Sequence, residues 1–393
     1  MKEKLLIIAN NNIGTSQSGG DTIFLEFIKN WQKKLEITVI GSGESKRLLN
    51  RYHLKPKFIE SDTINSHCYP STLNIVLHSI RRSFRAIVIF NKYKNIFKES
   101  DYCYTASDFI PDFIFGLLYK SVNKRGKWLS SQYLFAPNPS DKNSPYRSHP
   151  LKGFLYYLFQ KITLPLANKY ADYIFVTSEP DKAQFPGKNV IVVRGGVEIT
   201  HSEKYLKSGK IKPVNERQFD AVFQGRLHPQ KGVLELVDIW NLVTKKLPKA
   251  KLAIIGDGQL EKKLTEKIQK SKLNNNITVF GFKNGEAKYK IFKDSKIVVH
   301  PAIYDSGGMS AAEAMAWGLP GVSFDLEALK TYYPKGMIKT PCFNHDKFAA
   351  NIINLLSNQS LYQKTSTDAL NLIRSAWDWQ KRSIIIYKQI FND

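Results

Sequence analysis

The stretch KIVVHPAIYDSGGMSAAEAMAWGLP (residues 296–320) joins a short apolar run to an alanine-rich segment through a turn with two adjacent glycines. The apolar run predicts a buried β-strand, and the alanine-rich segment predicts a helix that ends near Gly318 and Pro320. Two carboxylates flank the turn, Asp305 before it and Glu313 on the predicted helix. A strand, a loop and a helix in this order form the repeating unit of parallel α/β proteins.

The same alternation of strand and helix recurs along the whole chain. Predicted strands of the first half lie at residues 4–10, 36–43, 101–107, 172–179 and 189–198. A polar, lysine-rich stretch at 199–217 predicts a linker. Further strands are predicted at 219–227, 250–258, 276–282 and 296–302. We therefore expect two α/β domains joined near residue 205, with ligands bound in the loops that follow the strands.

The composition fits a globular protein of two domains. The chain has 393 residues, of which 42% are hydrophobic and 12% aromatic, so it can build sizeable cores. Its three cysteines (Cys68, Cys103 and Cys342) are far apart and form no C-x-x-C pair, which argues against a disulfide framework or a zinc site. The N-terminal apolar run is too short for a signal peptide, and no run approaches the length of a membrane span. These features predict a cytoplasmic protein.

The net charge of +24 would attract nucleic acid, anionic lipid or phosphorylated substrates. The positive excess is spread about equally over the two halves, and a generally basic proteome would produce it as well. Charge alone therefore leaves all of these interpretations open.

The first candidate loop, SQSGGDT (residues 16–22), follows the first predicted strand. Gly19 and Gly20 would let backbone N–H groups approach an anion at the start of a helix, although glycine pairs are also common at ordinary strand–helix turns. The loop lacks the G-x-G-x-x-G fingerprint, and the chain has no G-x-x-x-x-G-K-[ST] phosphate loop. Nicotinamide cofactors and P-loop nucleotide hydrolysis are thus disfavoured.

The second candidate loop, QGRLHPQKG (residues 224–232), carries Arg226 and Lys231. A planar guanidinium and a compact ammonium group on one loop suit a diphosphate. The alternative is a solvated basic turn.

The third candidate loop contains Ser306, Gly307 and Gly308. Free N–H groups at the start of the following helix can hold phosphate or sugar oxygens. Asp305 and Glu313 would repel a phosphate, so we expect them to accept hydrogen bonds from hydroxyl groups on either side of it. A nucleotide-sugar has this arrangement, with a sugar, a diphosphate and a ribose. The alternative is a capped surface helix with both acids facing water.

These loops resemble motifs of the retaining glycosyltransferases of family 4. The resemblance rests on SGGD (18–21), GRLHPQKG (225–232) and DSGGMSAAE (305–313) followed by AMAWGLPGVS, and it is strong over about residues 170–325. It implies an α/β fold of the GT-B type, with two Rossmann-like domains facing each other across a cleft. It also implies an acceptor-binding domain at 1–200, a nucleotide-sugar domain at 201–376 and a C-terminal helix at 377–393 that crosses back to the first domain.

The resemblance further implies roles for particular residues. Arg226, Lys231 and Asp305 would serve catalysis, the two cations by gripping the donor diphosphate in place of a metal ion or another cofactor. Glu313 would hold the ribose hydroxyls. The remaining donor-binding residues would be Gly19, Gly20, Gly225, Phe280, Phe282, Ser306, Gly307, Gly308, Met309 and Ser310. Asp305 departs from the glutamate that is usual in the family, and the stretch KWLSSQYLFAPNP (127–139) lacks the family's common histidine.

The implied activity is transfer of a hexose from a nucleotide-sugar such as a UDP-sugar to an acceptor hydroxyl with retention, in glycan, lipopolysaccharide or glycolipid assembly. The acceptor would be a glycan or a lipid-linked molecule. Residues 73–98 and 149–166 are basic and aromatic, so they would either lie on an anionic membrane surface, on the inner face of the membrane, or pack in the core.

Three other functions remain open at this stage. A sugar-nucleotide epimerase would share the domains but not the acid–glycine–acid loop. A basic nucleic-acid-binding protein would expose aromatics among its cations, whereas the candidate segments here predict amphipathic helices, so no nucleic-acid partner is expected. A degenerate transferase would bind the donor without turnover.

Overall fold

The computed structural model describes residues 2–12, 18–62, 72–141, 144, 146, 150–305 and 307–391. The chain divides into two compact units. One comprises Met1–Arg194 together with Ser383–Asp393, and the other comprises Gly195–Arg382.

The first unit is built on a parallel sheet that has seven strands within the described residues, in the order β3-β2-β1-β4-β5-β6-β7. The strands are β1 (Lys4–Ala9), β2 (Glu36–Ser42), β3 (Lys57–Asp62), β4 (Tyr102–Thr105), β5 (Lys127–Ser131), β6 (Tyr173–Val176) and β7 (Asn189–Val192). In β1 every residue after Lys4 is buried. A nearly continuous apolar strand is typical of a parallel sheet covered by helices on both faces.

Helices connect these strands. They are α1 (Gly19–Trp31), α2 (Gly43–Arg51), α3 (Thr72–Lys92), α4 (Lys94–Glu99), α5 (Ile110–Val122) and α6 (Pro150–Tyr170). Helices α3, α5 and α6 contribute Phe90, Phe115 and Ala167 to a single core cluster with strand residues such as Ile8. These three helices therefore cover the same face of the sheet.

The second unit has a parallel sheet of six strands within the described residues, in the order β10-β9-β8-β11-β12-β13. The strands are β8 (Phe219–Gln224), β9 (Leu252–Ile255), β10 (Ile277–Val279), β11 (Ser295–His300), β12 (Gly321–Phe324) and β13 (Met337–Thr340). Its helices are α7 (Thr200–Leu206), α8 (Val233–Lys246), α9 (Glu261–Lys270), α10 (Gly285–Lys293), α11 (Met309–Met315), α12 (Glu327–Tyr332), α13 (His345–Ser357) and α14 (Gln359–Ala376).

The described residues of the second unit form two core clusters. One contains Trp240 of α8 and Phe348 of α13, and the other contains Met315 of α11 and Trp377. The last helix, α15 (Trp379–Phe391), spans the division between the units. Within the first unit, its Phe391 ring lies 5.6 Å from the ring of Trp31 on α1.

The predicted α/β class with two Rossmann-like domains is confirmed, and each predicted strand overlaps an observed one. Strands β3, β5, β12 and β13 were absent from the prediction, because their apolar runs are short and their pairing depends on neighbouring strands. Residues 199–217, predicted as a linker, instead contain α7 and belong to the second unit. Tyr205 of α7 packs against Trp317, with 5.7 Å between the ring centroids. No helix within the described ranges is long and apolar enough to span a membrane.

Candidate functional site

The loops after β8, β9 and β11 meet at the carboxyl edge of the second sheet, and two glycines allow this close packing. Gly232 has φ +64°, and a Cβ atom there would lie 1.9 Å from the carbonyl oxygen of Pro301. Gly256 has φ +146°, and a Cβ there would lie 1.8 Å from the carbonyl oxygen of Gly225. Only glycine fits at either position without strain. The loop at 225–232 is thus held against the loops that follow the neighbouring strands.

This packing brings Lys231 to Asp305. Lys231 Nζ lies 2.5 Å from Asp305 Oδ2, and His300 Nε2 lies 3.0 Å from the same oxygen. The other carboxylate oxygen accepts hydrogen bonds from the N–H groups of Gly307 and Gly308, at 3.3 and 3.1 Å. Asp305 therefore ties together the lysine, the end of β11 and the glycine turn.

Burial alone would raise the pKa of Asp305. The charge of Lys231 and the hydrogen bonds from His300 and Lys231 outweigh this effect and hold the pKa of Asp305 well below its usual range. The side chain is only 7% exposed. Sequence reasoning predicted a hydroxyl acceptor at Asp305, whereas the structure places its carboxylate in internal contacts that position Lys231. His300 was missed, and its only sequence signal is a polar residue at the end of an apolar strand.

Arg226 lies on the same loop as Lys231 and is half-buried. Its guanidinium has no hydrogen-bond or ion-pair partner among the described residues; only its backbone carbonyl is engaged, by the N–H of His228 at 2.8 Å. A partly buried cation without a counter-charge indicates a place for an anionic ligand.

Glu313 of α11 also lies at this edge. Its carboxylate accepts a hydrogen bond from Gln224 Nε2 at 3.0 Å and forms an ion pair with Lys288 of α10. The carboxylate side chain remains 31% exposed, so it can still accept hydrogen bonds from a ligand. Sequence reasoning found Glu313 but missed Gln224 and Lys288. Gln224 ends a strand next to a glycine, whereas Lys288 has no signal among the surrounding lysines.

Several polar groups around Glu313 have no protein partner within the described part of the chain. They are Gln224 Oε1 and Ser310 Oγ, both buried, together with the N–H groups of Met309 and Ser310. Met309 fills the space beside Gly195, where a Cβ atom would lie 2.3 Å from its sulfur. Buried polar atoms without partners are uncommon in folded proteins, so they support a polar ligand here.

The two predicted base-pocket aromatics differ in exposure. Phe280 packs against Phe219, with 5.6 Å between ring centroids, and joins the neighbouring core cluster. Phe282 is 42% exposed. The structure therefore leaves Phe282 the more accessible of the two rings.

Gly19 and Gly20 lie in the first unit, at the start of α1. Ser18 and Asp21 cap this helix reciprocally, with the Asp21 N–H donating to Ser18 Oγ and the Ser18 N–H to Asp21 Oδ2. A Cβ at Gly20 would meet no atom closer than 3.5 Å, so packing within the unit does not demand glycine there. The role predicted for these glycines stays a prediction. Ser306, also predicted to bind the donor, lies outside the described residues.

Within the described residues, no group of three or more His, Cys, Asp or Glu side chains is placed to hold a metal ion.

The second unit matches a known sequence family. Residues 207–371 match the model of the family described as glycosyl transferases group 1.

The second unit is thus similar to the domain of that family over most of its length.

Two curated relatives are also similar to the chain. The poly(glycerol-phosphate) alpha-glucosyltransferase of Bacillus subtilis is 28% identical over 163 residues, which cover 40% of this chain and 24% of that protein. A glycosyltransferase of Methanocaldococcus jannaschii, MJ1059, is named uncharacterized. It is 30% identical over 195 residues, which cover 46% of this chain and 47% of that protein. The chain thus spans less than half the length of both relatives.

Among solved structures, Anabaena Alr3699/HepE in complex with UDP and glucose resembles the whole chain. It has a TM-score of 0.72 and 15% sequence identity, with 100% of both chains covered. At this identity the likeness establishes the fold, which is GT-B.

Proposed function

We propose that this protein is a glycosyltransferase that binds a nucleotide-sugar at the carboxyl edge of the second sheet and moves its sugar to an acceptor hydroxyl. The observation that carries the proposal is the pair of cations on one loop. Arg226 has no side-chain partner among the described residues, and Lys231 is fixed by Asp305 at 2.5 Å. A diphosphate supplies the missing negative charge, and a planar guanidinium binds it through two parallel hydrogen bonds.

The charge balance favours a diphosphate over a neutral ligand. Two cations and one carboxylate leave a net positive charge at the loop. Asp305 accepts only one of the three hydrogen-bond donors of Lys231, so the ammonium group keeps donors for phosphate oxygens. A cation held in place beforehand, as Asp305 holds Lys231, stabilises a leaving group that gains negative charge in the transition state without reorganising during the reaction.

Glu313 supplies the second half of the donor site in this proposal. Lys288 and Gln224 orient its carboxylate, and the exposed part would accept hydrogen bonds from ribose hydroxyls. The N–H groups of Met309 and Ser310 and the hydroxyl of Ser310 would donate hydrogen bonds to sugar oxygens of the donor. Phe282 and Phe280 would face the base. The proposed site thus contains polar partners for each part of a nucleotide-sugar.

The proposed reaction transfers a hexose with retention at the anomeric carbon. The Bacillus subtilis relative is named an alpha-glucosyltransferase and the Anabaena protein was solved with UDP and glucose, which supports a UDP-hexose donor. Because sugars are α-linked in such donors, an α-linked product means retention. The departing diphosphate would take the proton of the acceptor hydroxyl, with Arg226 and Lys231 stabilising its charge. The proposal requires no metal ion, since these two cations would neutralise the charge of the departing diphosphate.

The first unit would bind the acceptor, for which we propose a glycan hydroxyl. Nucleotide-sugars are made in the cytoplasm, and the proposal places the enzyme there.

The decisive experiment measures binding and turnover separately. Calorimetry with UDP-, GDP-, ADP- and CDP-sugars would identify the donor, and hydrolysis or transfer assays with that donor would detect chemistry in buffer containing EDTA. Arg226→Ala should weaken the binding of the corresponding free nucleotide about 10- to 100-fold, since a charge-assisted hydrogen bond contributes about 1.5–3 kcal/mol. Lys263→Ala, which removes an exposed cation of α9, is the matched control and should bind normally.

Because the Arg226 side chain has no partner among the described residues, Arg226→Ala should change stability by less than about 0.5 kcal/mol. A folded wild-type protein that binds none of the nucleotide-sugars would contradict the proposal. Donor binding without any turnover would limit the protein to donor binding, and activity that EDTA abolishes would contradict the metal-independent mechanism.

A further inference from the structure

Helix α3 exposes an apolar stripe on the side opposite its buried face. The stripe, called here the α3 stripe, consists of Leu77, Ile80, Phe84, Ile87 and Val88. Phe84 is 67% exposed and Val88 65%. At 100° per residue these positions point about 180° away from the buried Arg82, Ala86 and Ile89. The helix therefore has two apolar faces, and the sheet covers only one.

Helix α6 has the same construction. Its exposed residues, called here the α6 stripe, are Leu151, Phe154, Leu158 and Ile162. They lie opposite a buried face formed by Gly153, Tyr156, Gln160, Thr163 and Ala167. Sequence reasoning left open whether these two segments pack in the core or face a membrane. Each helix has one face that packs in the core and one apolar face that is exposed.

The two stripes belong to one side of the first unit. Helices α3 and α6 both pack against α5, and all three contribute to the core cluster on the same face of the sheet. Of the sixteen large apolar side chains exposed among the described residues, nine lie in these stripes. Such a concentration is unlike the scattered apolar residues of an ordinary protein surface and marks an interaction site.

The charges beside the stripes identify the partner. Neither helix contains an acidic residue. On α3 the cations outside the buried face are Arg81, Arg85 and Lys92, and the two arginines share the buried Asp62 as an ion-pair partner. On α6 they are Lys152, Lys161 and Lys169. Three of these lysines lie over tyrosine rings, at 5.4 Å for Lys92 and Tyr93, 5.2 Å for Lys161 and Tyr157, and 5.1 Å for Lys169 and Tyr170. Apolar stripes bordered by cations and tyrosines suit the interface of an anionic bilayer.

We propose that the first unit docks on an anionic membrane surface through the α3 and α6 stripes. A second copy of the chain is a poorer partner, because two chains of net charge +24 would repel each other and bring the basic borders of the stripes together. A bilayer containing acidic lipids supplies both the apolar layer and the opposite charge.

The buried faces of the same helices hold loops at the carboxyl edge of the first sheet. Arg82 of α3 donates to the carbonyl oxygens of Asn10 and Asn12, at 2.7 and 2.6 Å. On α6, Tyr156 donates to the carbonyl oxygen of Leu134 at 2.7 Å. These loops follow β1 and β5, where ligands of such sheets bind. Docking would therefore hold the loops after β1 and β5 at a membrane. If the proposed function is correct, these loops bind the acceptor, and we infer that the acceptor is a membrane-anchored glycan.

The test is co-sedimentation of the full chain with phosphatidylglycerol-containing vesicles and with pure phosphatidylcholine vesicles. The wild type should bind the anionic vesicles much better, and added salt should weaken this binding. The double variant Phe84→Ser/Leu158→Ser should reduce partitioning at least about tenfold, since it removes two large apolar anchors. Phe343→Ser, which changes an exposed phenylalanine of the second unit, is the matched control and should partition like the wild type.

Calorimetry with UDP and thermal unfolding of each variant separate this proposal from the donor proposal. Loss of vesicle binding with normal UDP binding and folding supports the membrane surface. The membrane proposal would be overturned if the wild type does not bind anionic vesicles, or if the double variant binds them as well as the wild type does. Either outcome would count whether or not UDP binds. A concentration-dependent dimer that the double variant abolishes, without vesicle binding, would assign the stripes to a second copy instead.

Discussion

Lys231 Nζ lies 2.5 Å from Asp305 Oδ2, although the two residues belong to loops after different strands. Those strands, β8 and β11, are neighbours in the sheet, so their carboxyl ends place both loops at one edge. The pair fixes the lysine on the loop that also carries Arg226, and it makes Asp305 a positioning residue for the proposed diphosphate site.

The change Asp305→Asn should destabilise the second unit by about 3 kcal/mol at neutral pH, because it leaves Lys231 partly buried without its counter-charge. The folded-state pKa of Asp305 is depressed, so its stabilisation is present above the unfolded-state pKa of about 3.9 and is lost as the pH falls below it. Urea unfolding at neutral and acid pH measures both effects.

The control for that experiment is Asp346→Asn, which removes an exposed carboxylate from the same unit. A loss of stability no larger than that of the control, or one that does not shrink in acid, would show that the pair contributes little.

The change Glu313→Gln should weaken UDP binding about tenfold or more and leave the binding of inorganic pyrophosphate unchanged. In the proposed site Glu313 contacts only the ribose, and a hydrogen bond to a charged group contributes about 1.5–3 kcal/mol. Calorimetry with the two ligands tests this, and Glu266→Gln on α9 is the exposed control. Equal losses for both ligands would refute the ribose assignment.

The change Gly232→Ala should destabilise the second unit strongly and disturb UDP binding, because its Cβ would lie 1.9 Å from the carbonyl oxygen of Pro301. Gly209→Ala is a matched control. Gly209 has a similar φ of +68° but no atom within 4 Å of the added Cβ. The change Gly209→Ala should therefore lower the free energy of unfolding by only about 1–2 kcal/mol. Denaturant unfolding of both variants measures the difference. Equal losses of unfolding free energy would mean that the backbone at Gly232 and Pro301 can move apart without strain.

The change Asp112→Asn should alter how the stability of the first unit depends on pH. Burial raises the pKa of Asp112 to about 7, while its carboxylate accepts hydrogen bonds from the N–H groups of Asn10 and Asn11 at 2.6 and 2.9 Å. A raised folded-state pKa means that stability is present below the unfolded-state value of about 3.9 and is lost as the pH rises towards 7.

Wild type should therefore lose about 1 kcal/mol per pH unit relative to Asp112→Asn between about pH 4 and pH 7. Urea unfolding of both proteins across this range provides the measurement. A stability difference that stays constant with pH would mean that Asp112 titrates near its ordinary value.

Four of the six described strands and both loops of the second unit could be predicted because they depend on local patterns. GRLHPQKG and DSGGMSAAE each lie within one strand–loop–helix unit, and apolar runs beside them predict the strands. Short strands such as β12, which is GVSF, gave too weak a pattern. Their place in the sheet depends on pairing with strands elsewhere in the chain.

The sequence did not predict which side chains would pair at the site. Lys288 lies among other lysines on α10, and nothing in its local pattern distinguishes the one that reaches Glu313. Nor did it predict that the carboxylate of Asp305 would be engaged by Lys231 and His300. Such contacts depend on the distance between loops that the sheet brings together.

The sequence by itself determined the α/β class, the repeated strands and helices, the glycine turns and the acid and basic residues beside them, since all of these follow from short-range periodicity and backbone preference. Only the tertiary structure decided that Arg226 keeps a guanidinium without a partner among the described residues while Lys231 is held by Asp305. It also decided which faces of α3 and α6 are buried and which remain exposed. The physical reason is that partners and exposure depend on contacts between segments far apart in the chain.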